Sequence, residues 1–96
     1  MFDNDITKIL QLGKESKFFS LRQNSENYID FDGWLNQSST ENRPEVHVSL
    51  SFIKKENIAF LLLVEEQSGR AIGPEREMEL PVESAMKILA EWKGAK

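Results

Sequence analysis

Between Ile58 and Val64 every residue is apolar: Ile, Ala, Phe, Leu, Leu, Leu, Val. Seven residues fall far short of the roughly 20 that a membrane-spanning helix needs. Turn-forming residues flank the run, Lys54–Asn57 before it and Gln67–Pro74 after it, so it reads as a strand. Successive side chains of a strand point to opposite sides, which makes this strand apolar on both faces. A strand of that kind belongs in the middle of a sheet, covered above and below. Helices, further strands or a second subunit supply such cover.

The neighbouring segments supply the rest of the sheet. Val46, Val48, Leu50 and Phe52 alternate with His47, Ser49 and Ser51, the pattern of a strand with one wet side. With the turn at Lys54–Asn57 they form a hairpin with the apolar run. An earlier hairpin is predicted from Lys17–Gln23 and Tyr28–Trp34, with Asn24–Asn27 as its turn. Ile29 and Phe31 share one face of its second arm, and Tyr28, Asp30 and Asp32 the other. In the first arm Phe19 and Leu21 are expected on the buried side, leaving Phe18 to point outward with Ser20 and Arg22. Glu75–Leu80 alternates again, with Met78 and Leu80 inward and Glu75, Glu77 and Glu79 outward.

Helices close both ends. Ile6, Ile9 and Leu10 make one apolar face, Asp3, Asn4 or Asp5 can cap the first turn, and Gly13 is expected to end the helix. Pro81 is expected to open the last helix, since a first-turn proline forfeits no hydrogen bond. Val82, Ala85, Met86, Leu89 and Trp92 form its stripe, and Gly94 its end. The expected fold is α+β, a single domain over residues 1–96 ordered α-β-β-β-β-β-α, with a mainly antiparallel five-stranded sheet. The polar stretch 36–45 is expected to be a flexible surface loop. The helices pack on one face or are split between both; on one face, a homodimer would cover the other.

Charge and composition remove several function classes. The 96 residues carry 16 acids against 12 Lys and Arg, a net charge of −4. Nucleic-acid phosphates repel such a surface, which argues against a dedicated nucleic-acid binder. Without cysteine there is no disulfide, Cys-ligated metal or thiol chemistry. The residues Met1–Leu10 lack the basic start and apolar block of a secretion signal, so a cytoplasmic protein with no membrane segment is expected.

Candidate chemistry is sparse. Asp30-Phe31-Asp32-Gly33 resembles the start of an EF-hand loop but lacks the rest of its ligand series. Glu75, Glu77 and Glu79 repeat the spacing, most simply as the charged outside of an edge strand. His47 shares a face with Ser49 and Ser51, yet no strained nucleophile turn accompanies it. Ser68–Pro74 holds two glycines and Arg70 but leads into a strand, where a phosphate cradle would lead into a helix. Asn36-Gln37-Ser38 matches a glycosylation sequon, which means little without secretion. No catalytic residue, metal ligand or cofactor is assigned.

The strands closed by a proline-led helix resemble in outline the single-stranded-DNA-binding transcription cofactors, but the basic, glycine-bearing strand residues of those proteins are missing. Small acidic chaperones of bacterial secretion systems are likewise α+β and dimeric, but their middle helix has no counterpart in the polar stretch 36–45. Neither likeness of shape carries a function. The residues themselves point to a small acidic, non-catalytic protein-binding module, of the regulator, adaptor or inhibitor kind. Phe18, Tyr28, Trp34 and Arg70 are its expected contacts with another protein, since exposed aromatics and Arg anchor interfaces. Two other readings stand beside it: an acid/base or metal-dependent enzyme built on the acidic strand faces, and a single-stranded nucleic-acid binder using the outer aromatics.

Overall fold

A computed structural model describes residues 3–35, 45–67 and 70–92. The elements run α1 (Asp3–Glu15), β1 (Ser20–Asn24), β2 (Tyr28–Leu35), β3 (Glu45–Ile53), β4 (Ile58–Gln67), β5 (Arg70–Ala71), β6 (Arg76–Pro81) and α2 (Val82–Glu91). Every strand pairing is antiparallel, in the order β1-β2-β3-β4, and both β5 and β6 lie along the free edge of β4. The expected α+β architecture is therefore present, with the apolar run in a central strand and one extra two-residue strand, β5. Most of the predicted loop 36–45 and the helix end at Gly94 lie outside the described residues.

Register fixes which residues share a face. Ile29 pairs with Phe52, Phe31 with Leu50 and Gly33 with Val48; across β4, Phe52 meets Ala59 and Leu50 meets Leu61. These residues form the side on which the core is built. Ile9 of α1, and Val82, Ala85 and Leu89 of α2, pack into the same buried cluster as Phe19, Ile29, Phe31, Val48, Leu50, Phe52 and Ala59. Both helices thus lie on one face of the sheet. The molecule is a two-layer slab with extents of 44 × 25 × 20 Å.

Several local expectations are corrected. Gly13 does not end α1, which runs on to Glu15. A Cβ added at Gly13 would meet the Phe31 ring at 2.2 Å, so the glycine lets the helix backbone lie directly on β2. The first strand starts at Ser20, not Lys17, because Ser16 turns the chain: its Oγ accepts hydrogen bonds from the backbone N–H of Phe19 at 2.9 Å and of Phe18 at 3.3 Å. Strand parity therefore does not govern Phe18. Its ring packs beside the core, 4.8 Å from both Phe19 and Trp92, and would meet a Cβ at Gly33 at 2.6 Å. Phe18 does not point outward. Pro81 closes β6 with extended backbone angles, φ −60° and ψ 149°, and the helix begins one residue later. Leu21 lies opposite Phe31 as expected but is 51% exposed, since β1 is an edge strand that α1 only partly covers.

The hairpin tips match the predicted turns. Asn57 takes φ 55°, a left-handed conformation that asparagine tolerates better than most residues. Lys54 ties the two tips together, donating from Nζ to Asn24 Oδ1 at 2.9 Å and to the Ser25 carbonyl at 2.5 Å.

Candidate functional site

With both helices on one side, the opposite face of the sheet carries neither of them. The same registers that build the core place the even-numbered residues of β2, β4 and the odd-numbered residues of β3 and β6 on this open face. Along β4 these are Ile58, Phe60, Leu62, Val64 and Glu66. None of these residues belongs to the core cluster or to the apolar side chains packed against it. Ile58, Phe60 and Leu62 are half-buried, and Val64 is buried. The result is an apolar row from Ile58 to Val64 along β4, joined at one end by Ile53 of β3, which lies opposite Ile58.

The strands on either side of that row are polar. On β2 and β3, Ser51 donates a hydrogen bond from Oγ to Asp30 Oδ1, and His47 Nε2 lies 3.1 Å from Asp32 Oδ2. The His47 ring stacks on Trp34, with centroids 4.5 Å apart and planes 25° from parallel. Cross-strand geometry explains these contacts, since Asp30 pairs directly with Ser51 and Trp34 with His47, while Asp32, opposite Ser49, is the diagonal neighbour of His47. Beyond the row, β6 contributes Glu77 opposite Leu62 and Glu79 opposite Phe60, both exposed. A shallow hollow of about 360 Å³ spans the row, with Tyr28 and Asp30 on one side, Phe60 and Leu62 beneath, and Glu77 on the other.

The acids of β2 and β6 thus share a face without converging. Three strand spacings separate them, about 14 Å at the usual 4.8 Å per step. Among the described residues no group of three or more His, Asp or Glu side chains lies close enough to hold one metal ion. Asp32, His47 and Trp34 form a connected chain, but this is the arrangement of a satisfied surface histidine as much as of an acid–base pair.

Of the four predicted contact residues, Tyr28 and Trp34 lie on the open face, both half-buried. Phe18 is on the core side. Arg70 is exposed on β5, but its pairing with Gln67 puts it on the helix-bearing side. The sequence reading missed Phe60 and Leu62, because an apolar run covered on both faces and one covered on a single face look identical in sequence. Their alignment with Asp30, Asp32, Glu77 and Glu79 depends on register, which no local pattern specifies.

A second concavity, about 510 Å³, opens beside α2 and is lined by Leu61, Ser84, Lys87, Ile88, Glu91 and Trp92. Beside it on β6, Met78, paired with Leu61 and expected inward, stays 57% exposed. No described helix is long and apolar enough to cross a membrane. Compared with models of known protein families, with curated proteins and with solved structures, the chain finds no match.

Proposed function

We propose that this protein is a non-catalytic protein-binding module whose contact surface is the open face of the sheet. One observation carries the reading: the apolar row of β4, part-exposed at Ile58, Phe60 and Leu62, runs between polar strands on the face opposite both helices. Apolar centre and polar rim are the ordinary anatomy of a protein–protein contact. Tyr28 and Trp34, on β2 level with the two ends of the row and separated from it by β3, supply the large, rigid side chains that anchor interfaces. Phe18 and Arg70 are not part of this surface. The acids of β2 and β6 stand too far apart for a shared catalytic step, so here they serve as the rim. Six carboxylates on the same face also repel phosphate, which favours this reading over a single-stranded nucleic-acid binder.

The absence of cysteine makes a direct test simple. A Ser49→Cys variant places a single thiol at the centre of the open face, and a Lys87→Cys variant places one on the exposed side of α2. Each is labelled with a photo-activated cross-linker and illuminated in an extract of the source cells. The reading expects a discrete adduct from the Ser49 site that is missing from the Lys87 site. Equal adducts from both, or adducts from Lys87 alone, would move the contact surface off this face.

A further inference from the structure

The open face has a charge pattern that selects among occupants. Six of its ladder positions are carboxylates: Asp30 and Asp32 on β2, Glu45 on β3, Glu66 on β4, and Glu77 and Glu79 on β6. None of its ladder positions is Lys or Arg, although the protein has 12 of them. Arg22 falls in the bulge of β1 and has no ladder position, while Arg70 and Arg76 pair with Gln67 and Leu63 on the helix-bearing side. The face therefore carries more negative charge than the whole molecule's −4.

The arrangement is also directional. Acids flank the apolar row on both long sides, β2 on one and β6 on the other. At one end of the row Glu45 lies directly opposite Glu66, a cross-strand pair of like charges that disfavours the free sheet. A second copy of this chain would set these carboxylates against an identical set, since a two-fold contact meets its own surface. An anionic membrane or nucleic acid is repelled for the same reason. The width suits one helix: the two acid columns stand about 14 Å apart, and an α-helix with its side chains is 10–12 Å across.

We infer that the open face takes a basic amphipathic helix from a partner protein, laid along β4, with its apolar ridge on Phe60 and Leu62 and Lys or Arg on both flanks reaching the acids of β2 and β6. This rests on the protein-binding reading above and specifies the chemistry of the partner. From Ile58 to Val64 the apolar row is about 20 Å long at 3.3 Å per residue, with Glu66 about 7 Å beyond it, so a helix of about 18 residues spans the row and the acid at its end.

The test uses three synthetic 18-residue helices that share one apolar ridge and differ only in their flanks: Lys, Gln or Glu. Binding is measured by fluorescence anisotropy in about 0.05 M salt and again in 0.5 M. The contact is located by amide chemical-shift changes in the isotope-labelled protein. The Lys-flanked helix is expected to bind at least about tenfold more tightly than the Gln-flanked one, to lose most of that advantage in high salt, and to shift amides of β4 and its neighbours. A double variant Glu77→Lys, Glu79→Lys should weaken the Lys-flanked helix and strengthen the Glu-flanked one. Equal binding of all three helices on this face would overturn the charge selection and leave the protein-binding surface standing. Binding of the Lys-flanked helix only to α1 or α2, or no binding while light scattering shows a stable dimer with β4 amides protected, would overturn the proposal itself.

Discussion

Gly13 and Gly33 show how much of this fold hangs on missing side chains. The helix backbone at Gly13 rests on the Phe31 ring, and Gly33, in the middle of β2, lies under Phe18. Alanine is the better helix former by about 1 kcal/mol, so propensity alone favours Gly13→Ala. The contact decides otherwise: the new Cβ would sit 2.2 Å from Phe31 Cε1 and 2.7 Å from Cζ, on a ring fully buried in the core. Gly13→Ala is expected to lower stability by about 1–3 kcal/mol, read as a lower urea midpoint with an unchanged slope. Gly33→Ala should cost at least as much, because one of the atoms it meets, the Phe18 carbonyl oxygen at 2.7 Å, belongs to backbone that cannot rotate away. A raised midpoint for either variant would show that the close approach is not real. On the open face, His47→Ala removes both the stack on Trp34 and the contact with Asp32. At this partly exposed position the expected loss is about 0.5–1.5 kcal/mol in the same assay.

At the scale of elements, β4 is the informative one. Its two sides look alike in sequence, yet Ala59 and Leu61 face the helices while Phe60 and Leu62 do not. Truncation should tell them apart. Leu50→Ala, at a fully buried position beneath α2, is expected to cost about 2–5 kcal/mol, from lost transfer energy and the cavity left behind. Leu62→Ser, on the open face, should cost less, about 1–2 kcal/mol, because Leu62 is only half-buried. Similar losses at both positions would mean that something covers the open face even in the isolated protein. The same elements show where sequence patterns suffice. The alternation of β2 and β3 and the spacing of Val82, Ala85 and Leu89 correctly identify the buried sides. They fail at Phe18 and Gly13, where backbone hydrogen bonds accepted by the Ser16 side chain and a close ring contact override periodicity.

For the whole molecule the question is whether a sheet with a part-exposed apolar row pairs with itself. The six carboxylates of the open face supply an answer, since they oppose any copy placed face to face. The protein is accordingly expected to be a monomer by light scattering in about 0.1 M salt. In about 1 M salt, where charges are screened beyond roughly 3 Å, it should shift toward dimer. A dimer that is as stable at low salt as at high salt would show that charge does not guard this face.

The sequence by itself determined the class of structure. Alternation and apolar runs specify strands, the spacing of Ile6, Ile9 and Leu10 and the α2 stripe specify helices, and the missing cysteines and net acidity restrict the chemistry; all of these are local or additive properties. The tertiary structure alone decided that both helices share one side, that Asp30, Asp32, Glu77 and Glu79 flank Phe60 and Leu62, and that Phe18 turns inward. These depend on register and packing between segments far apart in the chain: a shift of one residue in the pairing of β3 with β4 would exchange the two faces, and no nearby residue records which pairing is made.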